Sequence, residues 1–229
     1  LQVFLSKRRG DLTFTLNYTL GRAYDNGSGN FDNQGDGMDD IEFYWGPSDI
    51  DRTHIFVGTW NYALPFFRNS NGLAAALLGG WQVSGITRYQ TGAPVTVLGN
   101  TAVGNNRRAD YTGAEIYVDE RINPTTGVVQ WINPAAFTNA PEARRGNSER
   151  GQVRGPEYYV WDISVRKEFR LKGDVRMQIQ ADFFNAWNRV NWGNPNNSQT
   201  PNLSTAGFGT ITTVTGQPRN IQLGARITF

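Results

Sequence analysis

The final eleven residues, Arg219 to Phe229, read R-N-I-Q-L-G-A-R-I-T-F and stop on an aromatic. In an extended chain Ile221, Leu223, Ala225, Ile227 and Phe229 fall on one face. Asn220, Gln222, Gly224, Arg226 and Thr228 fall on the other. Strand side chains alternate faces at every residue, so this stretch has one greasy and one polar surface. Its backbone groups need a pairing neighbour. A closed barrel in lipid supplies one, because it leaves no edge unpaired. A soluble sandwich alternates in the same way. Recurrence at membrane-spanning length separates the two.

The pattern recurs. Val175, Met177, Ile179, Ala181 and Phe183 alternate with Arg176, Gln178, Gln180 and Asp182. Tyr159, Trp161, Ile163 and Val165 alternate with Asp162, Ser164 and Arg166. Leu12, Phe14, Leu16, Tyr18 and Leu20 alternate with Thr13, Thr15, Asn17 and Thr19. Trp81, Val83, Gly85, Thr87 and Tyr89 form a further set, with Ile86 breaking its polar face. Phe56, Gly58, Trp60, Tyr62 and Leu64 form another, with Ile55 and Val57 opposite. These runs reach the roughly 9 to 11 residues that a tilted strand needs to cross a bilayer. Soluble strands average about 5 to 6. Charged residues and amides in mid-strand suit a wet lumen as well as a solvent face. Ile179, Ala181, Leu223 and Ile227 are therefore expected to face lipid. Asp162, Arg166, Arg176, Gln178, Gln180, Asp182, Gln222 and Arg226 are expected to line the lumen. Among the charged members, cross-strand pairing is favoured over a substrate path.

Composition fits a barrel that hides from hydropathy. Hydrophobic residues make up 38% and mean hydropathy is −0.50. No run is long and apolar enough for a spanning helix. Aromatics reach 13%. Trp81, Phe169 and Phe229 fall near one set of strand ends, and Tyr89, Tyr159, Trp161 and Trp187 near the other. That is the arrangement of two interfacial girdles, although Trp and Tyr also pack large β cores. Cysteine is absent, which excludes disulfides and thiolate metal sites. A net charge of +2 implies no bulk attraction to nucleic acid.

Connections alternate in length. Short ones cover 8–11, 65–76 and 171–173. Long ones, rich in Gly, Asn, Asp, Pro and Thr, cover 25–50, 92–156 and 188–217. With Phe229 at the periplasm, strands over 219–229, 174–187, 157–169, 77–91, 51–64 and 11–24 alternate in direction. Every long loop then lies outside and every short turn inside. Loop segment Arg144 to Arg154 is expected to be open to external protease.

Phe183-Phe184-Asn185-Ala186-Trp187-Asn188-Arg189-Val190-Asn191-Trp192 resembles an F-N-x-F-N-x-x-N-F element. It is followed by Phe208-Gly209, Pro218-Arg219, Gln222 and the terminal Phe229. Upstream stand Asp51-Arg52-Thr53-His54, Tyr62-Ala63-Leu64-Pro65-Phe66, Gly80-Trp81-Gln82-Val83-Ser84-Gly85 and Gly92-Ala93-Pro94. In this order, from about Leu12 to Phe229, they resemble the C-terminal end of TonB-dependent outer-membrane receptors. The Oar-like subgroup, with its carboxypeptidase-regulatory-like domain, is the nearest. The resemblance implies a parent barrel of roughly 22 strands around a plug. It implies contact with outer-membrane lipid, the rest of the barrel and plug, the TonB complex and the outer-membrane assembly machinery. Phe229 would be the assembly signal. Seven strands make up about a third of such a barrel. An odd number cannot close alone as an up-and-down barrel. The absence of an initiating Met, of a signal peptide and of any plug leads us to expect that 1–229 is a fragment: the C-terminal part of a barrel domain, without its plug and earlier strands.

Other sites are sparse. Asp32, Gln34 and Asp36 with Gly37 start like a calcium loop, but the twelfth position is Phe43 rather than Glu. An acidic Gly/Asn loop is more often a solvated turn, so no cofactor is assigned and calcium is the lesser alternative. Arg107-Arg108, Arg144-Arg145, Arg150 and Arg154 could attract anionic ligands or lipopolysaccharide phosphates. A solvated, mobile loop is the favoured reading. His54 is the sole histidine, no G-x-S-x-G element accompanies it, and G-x-x-x-x-G-K-[ST] does not occur. No catalysis is expected.

The expectation is thus an all-β chain: an antiparallel transmembrane β-barrel segment of about seven strands with long extracellular loops, in the bacterial outer membrane, acting in uptake or binding. The alternatives are a structural or adhesive outer-membrane barrel without energised transport, and a soluble β-sandwich carbohydrate-binding module.

Overall fold

Alternating β-branched, aromatic and polar residues favour extended chain, and seven such segments pair side by side. The computed structural model describes residues 1–27, 41–67, 72–99, 108–118, 122–123, 125–141, 144–171, 173–197 and 207–229. The strands are β1 (Gln2–Lys7), β2 (Leu12–Leu20), β3 (His54–Ala63), β4 (Trp81–Gln90), β5 (Tyr158–Arg170), β6 (Arg176–Phe184) and β7 (Asn220–Thr228). They form one antiparallel meander in chain order, with β1 and β7 at its edges. β2 to β7 are 9 to 13 residues long.

Register sorts the side chains. Ile179 stands opposite Ala225 and Lys167, and Ala181 opposite Leu223 and Val165. On the other face Gln178 stands opposite Arg226, and Asp182 opposite Gln222 and Ser164. The parity continues through Trp161, Thr87, Gly58 and Leu16 on the apolar side, and through Ser164, Ser84, Asn61 and Thr13 on the polar side. A slip of one residue anywhere would exchange the two faces, so one register serves the whole sheet. Gly85 belongs to this fit: a Cβ there would lie 2.7 Å from Trp60 Cζ2, so the glycine lets the indole cross the neighbouring strand.

The short connections and long loops leave from opposite ends of the sheet. One short connection differs from expectation. The strand expected over 77–91 begins only at Trp81, because Leu73–Leu78 forms a short helix. L-A-A-A-L-L has strong helix formers, and Gly79 ends the turn by donating its amide to the Ala75 carbonyl.

The long loops are not open coils. They build a cap at their end of the sheet from paired two-residue strands. Tyr24–Asp25 pairs with Gly46–Pro47, Pro94–Val95 with Val153–Arg154, Asp110–Tyr111 with Phe137–Thr138, and Val129–Gln130 with Thr210–Ile211. Between them lies a core of Val95, Val97, Val129, Trp131, Ile132, Phe137, Val153, Phe208 and Ile211. Among the described residues Val160 is the sole buried hydrophobic that belongs to the seven strands. For the described residues of 92–156 this corrects the expectation of a solvated, mobile loop: apolar residues there bury one another.

Candidate functional site

The cap must be fastened to the sheet, and the fastening uses the short sequence elements singled out above. Asp51, just ahead of β3, is 2% exposed. It accepts the Ala23 amide at 2.7 Å and the Thr53 hydroxyl at 3.3 Å, and it pairs with Arg154 at 2.7 Å. One carboxylate thus joins the end of β2, the start of β3 and the 92–156 segment. Burial alone would raise its pKa. The Ala23 amide and the Arg154 guanidinium outweigh that and hold it below the ordinary 3.8. His54 completes the element by sharing a 2.7 Å hydrogen bond between Nδ1 and the Tyr18 hydroxyl across the strands.

Asn185 performs the same task at the far side. It takes a left-handed conformation (φ 48°) and is 4% exposed. Its amide donates to Asp162 Oδ1 at 2.9 Å. Its side chain donates to the Arg189 and Gln217 carbonyls at 2.9 and 3.1 Å and accepts the Arg189 amide at 3.0 Å. Asn188, also left-handed, accepts the Arg219 amide at 3.1 Å, and Asn191 accepts that of Tyr159 at 2.8 Å. The F-F-N-A-W-N-R-V-N-W run is therefore a knot of asparagines that ties β6, the last loop and β7 together, where Asn tolerates the turn. In Phe208-Gly209, Phe208 fills the cap core. Gly209, at φ 72°, turns its carbonyl to both the Trp131 and Ile132 amides.

Several basic residues of the cap face carboxylates. Arg150 pairs with Asp25 at 2.7 Å, Arg154 with Asp51, and Arg189 with Glu157 at 2.8 Å. Arg144 grips Asp110 through both terminal nitrogens. That grip, opposed by burial and aided by the Asn147 amide, holds the Asp110 carboxyl below its usual range. Arg108 stacks 3.4 Å above the Phe43 ring. Arg108, Arg144, Arg150 and Arg154, considered above for anionic ligands, are thus each engaged within the chain. Within Arg144 to Arg154, where protease access is expected, Gly146, Ser148, Gly151 and Val153 are buried while Arg144, Asn147 and Glu149 are exposed. Arg107 lies outside the described residues, as do the calcium-loop candidates Asp32, Gln34 and Asp36. Among the described residues no group of three or more His, Asp or Glu side chains could hold a metal.

On the polar face, Arg88 pairs with Asp162 at 3.1 Å and Arg176 with Glu168 at 3.4 Å, while Arg166 donates to Gln82 at 2.9 Å. Up β6, Gln178 donates to Gln180 at 3.1 Å and Gln180 to Asp182 at 2.8 Å. Gln222 and Arg226 stand beside this rail on β7. The opposite face exposes Val3, Leu5, Leu12, Leu20, Ile221, Leu223 and Ile227. Many of its aromatics lie toward the two ends, with Phe14 and Trp60 between them. Trp81 and Phe169 lie toward the short connections, with Phe229 beyond the end of β7. Tyr89, Tyr159, Trp161 and Trp187 are in mutual ring contact beside the cap.

The sequence model of the outer membrane beta barrel domain matches residues 1–222. The chain belongs to that family. No curated protein and no solved structure matches it. As a barrel domain of the bacterial outer membrane, it crosses the bilayer with strands, and in barrels of this kind the apolar side of each strand faces lipid. No described helix is long and apolar enough to cross a membrane. Barrels of this kind have short periplasmic turns and long extracellular loops, which puts the cap on the outside. This location excludes the soluble carbohydrate-binding module.

Sequence reasoning missed the cap core. A signal was present: Val128, Val129, Trp131 and Ile132 sit together within a segment otherwise rich in turn residues. Their partners Phe137, Val153 and Phe208 are distant in sequence, and no short period links them.

Proposed function

We propose that this chain forms the C-terminal wall of a TonB-dependent receptor or transporter of the Oar-like type, acting in uptake or surface capture of a substrate. The observation that carries the reading is the joint between sheet and cap. Asp51, Asn185, Phe208 and Gly209, which lie in the elements that resemble those receptors, each fasten an external loop to the sheet or to its neighbour. A receptor needs loops held in a fixed arrangement over a pore, because a preorganised surface binds with less ordering cost. The polar face supports a hydrated lumen, lined by Gln178, Gln180, Gln222 and Arg226. There Asp162, Arg166 and Arg176 bond across to neighbouring strands, while Asp182 accepts from Gln180 on its own strand. Further strands and a plug would complete the pore, with TonB supplying energy. The reading involves no catalysis, cofactor or nucleic acid.

The cored cap favours a second reading, in which the barrel presents a rigid surface to other molecules without energised transport. The full-length protein distinguishes the two. It should carry an N-terminal plug and bind the purified periplasmic domain of TonB in a pull-down. A full-length chain without a plug, or with one that leaves TonB in the unbound fraction, selects the second reading.

A further inference from the structure

The helix Leu73–Leu78 has no polar side chain, and none of its residues is buried. Leu73, Leu77 and Leu78 are exposed, as are Phe66 and Phe67 on the approach to it. In water such a group of large apolar side chains is costly. The helix is also held to one side of the sheet. Trp81 and Lys167 belong to the apolar face, where they stand opposite each other. The Trp81 indole donates to the Leu77 carbonyl at 3.1 Å, and the Lys167 ammonium donates to the Gly79 carbonyl. Both donors draw the C-terminal end of the helix toward the lipid side of the wall, away from the polar face. Lys167 is 3% exposed, with its ammonium 4.9 Å from the Phe169 ring centre and 5.7 Å from that of Trp81. A cation on a lipid face is tolerated where carbonyls and aromatic faces receive it near the membrane boundary. Lys7 ends β1 on the same face and at the same rim.

We propose that the helix Leu73–Leu78, with Phe66 and Phe67, is a membrane-interface anchor that lies in the phospholipid headgroup region of the periplasmic leaflet. Its occupant is lipid because Trp81 and Lys167, both on the apolar face of the sheet, hold the end of the helix to that side. An apolar helix lying flat at the headgroup boundary buries its side chains in the upper acyl chains. Lys167 is a positioning residue here: it turns the Gly79 carbonyl to the wall and fixes the height of the helix. The anchor sets where the sheet stops relative to the hydrocarbon. It depends on the outer-membrane location alone and is independent of energised transport.

The test uses full-length protein reconstituted into phosphatidylethanolamine and phosphatidylglycerol vesicles. An environment-sensitive fluorophore is attached through Leu77→Cys; residues 1–229 contribute no competing thiol. Labels at Leu223→Cys and Thr13→Cys report the lipid face and the polar face. The label at 77 should emit to the blue of the label at 13. It should be quenched more by lipids with the quencher near the headgroup than by those with it at the chain end, and the label at 223 should show deeper quenching. Insensitivity of the label at 77 to both lipids, with quenching by aqueous iodide, would place the helix in the periplasm and overturn the proposal. Shielding from lipid and iodide alike would mean a protein surface covers it and would overturn the proposal too. Lys167→Met with Trp81→Phe should shift the label at 77 toward iodide access while the label at 223 keeps its depth. An unchanged label at 77 in that variant would remove the positioning role of Lys167.

Discussion

The sheet and the cap hide their apolar residues in opposite ways. In the sheet Leu223 is 81% exposed and Ile227 57%, and the strands contribute almost nothing to a core. In the cap Ile132, Val97 and Val153 are fully buried. The difference lies in the solvent each meets. Lipid receives the outer face of the sheet, so the strands need only alternate and pair. The cap stands in water and must supply its own interior, which two-residue strands and asparagine turns shape. The same contrast governs polar groups. Arg88 and Asp162 pair across strands on an open face, whereas Asp51 and Arg154 pair around a nearly inaccessible carboxylate.

The largest expected effect separates assembly from folding. Phe229 is 96% exposed beyond the edge strand, so its deletion removes no packing. A water-soluble unit such as the cap tolerates a loss of that kind. For the sheet, we expect outer-membrane insertion to fail and the precursor to be degraded, measured as the amount of full-length protein in the outer-membrane fraction with and without Phe229. Equal amounts would mean that the last strand is recognised without its terminal aromatic, and that its behaviour is no different from the cap's.

Next comes the cap core. Phe208 is 2% exposed and meets Phe137 edge to face at 6.3 Å. Phe208→Ala should cost the cap about 3 to 5 kcal/mol through the cavity and lost contacts. In membranes, trypsin should cut between Arg144 and Arg154 in the variant and spare that segment in the parent protein. Sheet strands should stay protected in both. Melting of the strands along with the cap would show that the two regions form one cooperative unit.

A smaller effect tests the faces. Ile179→Arg should destabilise the barrel by about 2 to 4 kcal/mol near the bilayer midplane, while Gln180→Arg should cost little. Denaturant titration of the refolded full-length protein in lipid measures both. Equal costs would mean that the polar face is packed against protein rather than bathed in water.

The regions also differ in how far the sequence exposes them. Strand existence, order and facing follow from a period of two and its punctuation, both local in the chain. Met177 to Phe183 can be assigned without knowing any partner. Helix Leu73–Leu78 was hidden because an apolar run before Trp81 reads equally as the start of a strand. The cap core was hidden for a deeper reason. Trp131, Phe208 and Val153 meet across long separations in sequence, and nothing in the intervening Gly, Asn and Thr marks which will meet. Within the site, Asp51 and Asn185 were visible as parts of motifs. Their role as fasteners was not, since it consists of hydrogen bonds to Ala23, Arg154 and Gln217 that only the folded chain brings near.

The smallest expected effect is acid loosening of the cap. Asp51 and Asp110 both have pKa values held below the ordinary 3.8, by Ala23 and Arg154 in one case and by Arg144 and Asn147 in the other. A carboxyl depressed by folding contributes stability that is complete above its unfolded pKa and is lost as pH falls through its folded pKa. Both contributions are therefore constant from neutral pH down to about 4 and decline below it. The backbone bonds that pair the strands in lipid contain no titrating group. Hydrogen exchange on the full-length protein in lipid, corrected for the intrinsic pH effect, should be faster at pH 3 than at pH 6 in 92–99 and 108–118. It should be unchanged in β5 and β6. Asp51→Asn should loosen the 92–99 segment at pH 6 and flatten its response to acid, because a neutral amide keeps the Ala23 bond but gives up the charge on Arg154. An acid response confined to the strands would reverse the assignment of the titrating groups to the cap.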